Sequence, residues 1–160
     1  SSFKEARKKK VEEIVDEIAK ACASLSRQKI GALIVMERET GLSEITETGT
    51  AIDGKVSSSL LINIFIPNTP LHDGAVVIRD DTLRAAACFL PLTDNKNLSK
   101  ELGTRHRAAL GISEKSDCLA IVVSEETGAI SVAQAGRCED IWIPPHLKKK
   151  SLSLMTGRRA

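Results

Sequence analysis

The sequence predicts an α/β fold: a single domain whose mixed β-sheet is flanked by helices on both faces. Short, continuous apolar runs at 30–36, 75–78 and 117–123 have the length of strands buried on both faces. Between them, at 4–25, 56–65 and 103–114, apolar residues recur at helical spacing. Strands that follow one another through tight turns at 80–81 and 124–128 add hairpins, so the sheet is not purely parallel. A chain of 160 residues with 42% hydrophobic content is large enough for one domain with a real core.

Each element has its own warrant. Val11, Ile14, Val15, Ile18, Cys22 and Leu25 fall on one side of a helix, so residues 1–28 are expected to form an amphipathic helix packed on the domain. Its basic start, Lys8, Lys9 and Lys10, reads as a solvated face, and would also suit a place beside an anionic membrane surface. Residues 29–134 are the expected core. The run at 30–36 is a buried strand closed by the charged turn 37–41, and 42–50 reads as an edge strand or a loop. After Asp53 and Gly54, the residues Val56, Leu60, Leu61, Ile64 and Phe65 share a side, which predicts a helix stopped by Pro67 and Pro70.

Leu71, His72, Asp73 and Gly74 make a tight turn into the strand at 75–78. Asp80 and Asp81 turn the chain into a strand over 83–90, whose Ala85, Ala86 and Ala87 leave room for another body to come close. A polar loop at 91–102 precedes the helix at 103–114, for which Thr104 is the expected N-cap. The strand at 117–123, the turn at 124–128 and an alternating strand at 129–133 complete the pattern. Residues 135–160, with Pro144, Pro145, Lys148, Lys149, Lys150, Arg158 and Arg159, read as a basic tail or appendage.

Composition narrows the function. A net charge of +2 makes no demand for nucleic acid, and 2% aromatic residues supply no set of platforms for stacking bases. Nucleic acid is therefore not an expected partner. Cys22, Cys88, Cys118 and Cys138 lie far apart, without zinc-ligand spacing, and read as reduced residues of a cytosolic chain. No signal peptide and no apolar run of membrane-spanning length is visible, so the chain is expected to be soluble.

Three polar clusters interrupt the apolar pattern, each at a strand end or helix start, where open α/β sheets place ligands. The helix at 103–114 opens with Arg105, His106 and Arg107, cations set on amides that are already electropositive. The misfit, about 0.3–1 kcal/mol per cation, disappears if phosphate sits there; the alternative is that the three side chains splay into solvent or pair with Glu101 and Glu114. Asp73 could hold a divalent cation or accept a proton from a hydroxyl, or the Asp-Gly pair could be only a turn. Ser124, Glu125 and Glu126 offer oxygen ligands to magnesium or manganese, or are simply solvated. Neither the G-x-x-x-x-G-K-[ST] nor the G-x-G-x-x-G phosphate loop is present.

Together the stretches at 71–75 (LHDGA), 103–109 (GTRHRAA) and 123–128 (VSEETG) resemble the DGA, RHR and SEETG motifs of the diadenylate cyclase (DisA-N type) domain. With 55–70 and 88–92 the resemblance covers about 11–133 and is most like the membrane-anchored CdaA-type branch. It implies an enzyme that makes cyclic di-AMP from two ATP molecules, with release of two pyrophosphates. It also implies a divalent cation (Mn²⁺, Mg²⁺ or Co²⁺) as cofactor and a homodimer, because each copy supplies one ATP site. A catalytically silent ATP- or cyclic-dinucleotide-binding module is the alternative. Membrane anchoring upstream of a cytoplasmic domain is a further expectation.

By the same resemblance Asp73, Thr104, Arg105, His106 and Arg107 are the catalytic candidates. Gly74, Ala75, Phe89, Leu90, Gly103, Thr104, Arg105, His106, Arg107, Ser124 and Glu125 would contact the nucleotide, with Phe89 and the Leu90 backbone near adenine. Asp73, His72, Glu125 and Glu126 are the metal candidates. Phe89 stands where relatives often carry Tyr, which removes a hydroxyl and keeps the ring, and Ala87 stands where Gly is common, so its added methyl is expected to narrow the approach to the base.

Overall fold

The computed structural model describes residues 2–100, 102–141 and 149. Among them the chain runs α1 (Ser2–Gln28), β1 (Ala32–Met36), α2 (Ser43–Thr46), β2 (Thr50–Lys55), α3 (Ser58–Phe65), β3 (Ala75–Arg79), β4 (Thr82–Cys88), α4 (Thr104–Lys115), β5 (Leu119–Val123), β6 (Ile130–Gln134) and β7 (Arg137–Ile141). The strands form one sheet in the order β2-β4-β3-β1-β5-β6-β7. Only β1 and β3 are parallel among these pairs, with Ile34 opposite Val76; the other neighbours are antiparallel.

Alternation along the central strands divides the core in two, because successive side chains of a strand point to opposite faces. Ala32, Ile34 and Met36 of β1, with Val76, Ile78, Leu119, Ile121 and Val123, pack under α1 and α3. Leu33 and Val35, with Ala75, Val77, Ala85, Ala120, Val122 and Ala133, pack under Ala108, Ala109 and Ile112 of α4. Helices thus cover both faces, as expected. The second face is rich in alanine.

Elements on the periphery depart from expectation. Residues 43–46 form a short helix, preceded by Leu42, whose amide donates to the buried carboxylate of Glu37 at 2.6 Å. The edge strand lies later, at β2, whose mostly exposed residues carry no apolar alternation. The predicted helix at 56–65 begins at Ser58, because the Ser57 hydroxyl accepts from Leu60 N and caps it. At α4, Gly103 is the N-cap and Thr104 the first helical residue.

β7 is a further correction. It pairs with β6 from Gln134↔Arg137 to Ile130↔Ile141, so the sheet continues past 134 into the expected tail. Its alternating charge hid it: Arg137, Glu139 and Asp140 are exposed, as an edge strand requires. The remaining tail features, Trp142, Pro144, Pro145 and the cations at 148, 150, 158 and 159, lie outside the described residues.

Candidate functional site

A cleft of about 670 Å³ opens at one end of the sheet. The amino ends of β1 and β3 and the carboxyl ends of β4 and β5 meet there, beside the start of α4. This is not the arrangement of a doubly wound sheet, whose ligands sit at the carboxyl ends of parallel strands. All three polar clusters contribute to the walls: Asp73 and Gly74 before β3, Gly103 to His106 at α4, and Ser124, Glu125 and Glu126 after β5. Phe89 and Leu90, just beyond β4, line the same cleft.

The local sequence explains how each wall is held. Gly74 has φ 107°, and a Cβ there would approach Cys88 O to 2.8 Å, so glycine is required for β3 and β4 to converge at their cleft ends. Ala87 beside it has φ 55° and belongs to an irregularity in which the register shifts between Ala75 and Val77. The small residues 85–87 do not line the cleft. The bodies that come close are backbone: Gly49 against Ala86 O, and Gly74 against Ala87.

In the turn after β5, the Ser124 hydroxyl accepts from the amides of Glu126 (3.1 Å) and Thr127 (3.2 Å). Gly128 N donates to Ser124 O at 2.9 Å, and Gly128 itself has φ 78°. From α1, the Ser26 hydroxyl donates to Gly128 O at 2.6 Å and ties the turn to the helix end.

Charge is uneven across the cleft. The first turn of α4 contains no acidic residue and no side chain caps it, so its amides face the cleft without a partner from a capping side chain. Arg105 Nη1 lies 3.5 Å from Glu125 Oε2, a pair whose carboxylate is 67% exposed and weakly held. The His106 imidazole is half-buried, and burial pushes its pKa below 6.5; Arg105 acts in the same direction, while Asp140 opposes it. Burial also pushes the Cys88 thiol up to about 11, so this cleft residue is a neutral wall rather than a nucleophile.

Three candidates stand apart from the cleft wall. Arg107 turns away: its Nε and Nη2 donate to Leu102 O and Ser99 O, each at 3.3 Å, which holds the segment leading into α4. His72 Nδ1 bonds Thr69 O at 2.7 Å and is not on the wall. Ala75 is fully buried in β3. Glu114 takes the Thr93 hydroxyl at 3.0 Å, whereas Glu101 lies outside the described residues.

Sequence reading missed several contributors. Leu33, Leu92, Ala108 and Val123 complete the walls, and the Thr48 hydroxyl accepts from Phe89 N at 2.8 Å. No local pattern marks Thr48. Gly31, which is not on the wall but lies against the Arg105 guanidinium, could have been found, since a glycine opening a buried strand signals close approach by another group.

Among the described residues no three His, Cys, Asp or Glu side chains converge to hold a metal ion. Asp73, Glu125 and Glu126 nevertheless share one cleft, which fits a hard cation that takes one or two carboxylates and completes its shell with phosphate oxygens and water.

Residues 19–138 match the family model described as DAC, DisA bacterial checkpoint controller nucleotide-binding. The chain belongs to the DAC family. Within it the CdaA-type branch fits: the domain is 57% identical over 122 residues to cyclic di-AMP synthase CdaA of Bacillus subtilis, covering 76% of this chain and 45% of that protein. The chain therefore spans less than half the length of that curated relative. The crystal structure of DacA from Staphylococcus aureus superposes with a TM-score of 0.87 at 47% identity, covering 91% of this DAC chain and 96% of that one. A Bacillus cereus protein described as a hypothetical membrane spanning protein gives a TM-score of 0.78 at 48% identity, over 80% and 63% of the two chains.

Proposed function

We propose that this DAC domain is a diadenylate cyclase that condenses two ATP molecules into cyclic di-AMP. Each 3′-oxygen forms a bond to the α-phosphorus of the other nucleotide as the bond from that phosphorus to the β-phosphate bridging oxygen breaks. Two pyrophosphates leave, and the two hydroxyl protons pass to bases. The observation that carries this reading is the meeting, in one cleft, of Asp73 with the uncapped cationic start of α4.

In-line displacement at phosphorus asks a protein mainly for positioning and charge neutralisation. Asp73, exposed on the cleft wall, accepts the proton of the attacking hydroxyl. Arg105, His106 and the amides from Thr104 onward receive the triphosphate, and Ser124 lies at its far side. For Arg105 to do so it exchanges an exposed carboxylate, Glu125, for phosphate oxygens. Asp73 with Glu125 or Glu126 would hold a divalent cation (Mn²⁺, Mg²⁺ or Co²⁺), which when bound neutralises phosphate charge. Phe89, 68% exposed, offers its ring to adenine, and Leu90 its backbone. Arg107 acts by holding Leu102 and Ser99, not by touching phosphate.

A cleft of about 670 Å³ suits one nucleotide. The second comes from another copy, so turnover needs two domains face to face. Among the described residues no helix is long and apolar enough to cross a membrane. The neighbour described as a hypothetical membrane spanning protein supports reading this domain as the cytoplasmic part of a membrane-anchored protein.

The test is chromatography of the products formed from ATP with each of the three metals. Cyclic di-AMP is expected from the parent, and Asp73→Asn should lose about 10²–10⁴-fold in rate with an unchanged unfolding midpoint. ATP binding without product over a long incubation, under conditions where the dimer is populated, would favour the silent binding module.

A further inference from the structure

Gly31 lies between α1 and β1, and it is buried. Its glycine identity is not explained by its backbone. The glycines with positive φ are Gly74, Gly128 and Gly136, whereas Gly31 has an angle open to any residue. What its missing side chain admits is Arg105. A Cβ built at Gly31 would meet the guanidinium, with Nη2 at 2.9 Å and Cζ and Nη1 closer still. The arginine head thus occupies the place an alanine methyl would take.

The seat is firm and the tether is not. Ile30 N donates to Leu25 O at 2.9 Å and Lys29 N to Ser26 O at 3.1 Å, and Ala32 pairs with Val123, so position 31 is fixed from both sides. The polar partner of the half-buried Arg105 head is the exposed Glu125 carboxylate, 3.5 Å away, and a pair with one partner in solvent at that separation holds geometry weakly. The depth to which the guanidinium sinks beside the cleft is therefore decided by the absence of a side chain at 31.

We propose that Gly31 is a positioning residue for the proposed cyclase: it sets where the Arg105 guanidinium meets the triphosphate of ATP. The inference rests on the nucleotide reading of the cleft. A methyl at 31 leaves the backbone untouched and pushes the flexible arginine head outward. A misplacement on the order of 1 Å in a positioning group can lower turnover about 100-fold.

The experiment is a double-mutant cycle on the whole domain with Gly31→Ala, Arg105→Ala and the pair, read by calorimetric binding of a non-cyclisable ATP analogue and by cyclic di-AMP formation. Gly31→Ala should keep the parent unfolding midpoint and weaken binding or turnover about 10- to 100-fold. In the Arg105→Ala background the same change should have no further effect, because the group it displaces is gone. Parent-like function in Gly31→Ala, equal losses in both backgrounds, or a loss that tracks a lowered unfolding midpoint would each overturn the positioning role while leaving the cyclase reading intact. If Arg105→Ala itself binds the analogue as the parent does, the phosphate role of Arg105 fails and the inference with it.

Discussion

Ala87 holds φ 55°, a conformation that costs an L-residue with a Cβ about 1–2 kcal/mol and glycine far less. Ala87→Gly should therefore raise the unfolding free energy by up to about 1 kcal/mol, read from denaturant melts, since the greater unfolded entropy of glycine offsets part of the relief. His106 makes a pH prediction. Its folded pKa lies below 6.5, chiefly through burial, so the unfolded chain takes up the proton first. Stability from this residue is complete above 6.5 and declines as pH falls from there toward the folded value. His106→Gln should flatten that part of the stability curve in melts run at a series of pH values. At this scale the gathering of Asp73, Arg105 and His106 on one cleft wall was legible, because polar residues there interrupt an apolar pattern at a strand start and a helix start. The direction of Arg107 was not: its guanidinium turns to Leu102 O and Ser99 O, an outcome set by how the preceding loop folds back.

Between elements, side chains of α1 complete other parts of the fold. Glu17 Oε1 accepts from Ser58 N at 2.9 Å, at the start of α3, and this bond, with help from Lys20, holds the carboxyl below its usual 4.5. Its contribution is present above that value and lost as pH falls through the lower folded pKa. Glu17→Ala should cost about 0.5–2 kcal/mol at neutral pH, as for a lost helix cap, and the gap to the parent should close in acid melts. Ser26→Ala removes the bond to Gly128 O and should cost about 0.5–1.5 kcal/mol, with weaker ATP binding because the turn bearing Ser124 loosens. The buried strands β1, β3 and β5 were readable because both faces are apolar. β2 and β7 were not, since an edge strand half in water keeps its backbone pairing without any hydrophobic pattern.

For the whole molecule, the proposed cyclase, with one ATP site supplied by each copy, gives a kinetic expectation. Below the dimer dissociation constant the rate should rise with the square of enzyme concentration, and above it in simple proportion; progress curves over a dilution series check this. A proportional rate throughout, with a monomer in sedimentation, would rule out a reaction shared between copies. By itself the amino-acid order determined the α/β class, the central strands, the covering helices and the three motifs that mark the DAC family. These are local properties: burial imprints a period on neighbouring residues, and reactive groups are visible wherever they stand. Only the tertiary structure decided that Gly31 makes room for Arg105, that Ser26 grips the turn after β5, and that His72 and Arg107 stay off the cleft wall. Those meetings depend on strand order and helix packing, which bring distant positions to within a bond length or two of contact and leave no trace in the spacing of either partner.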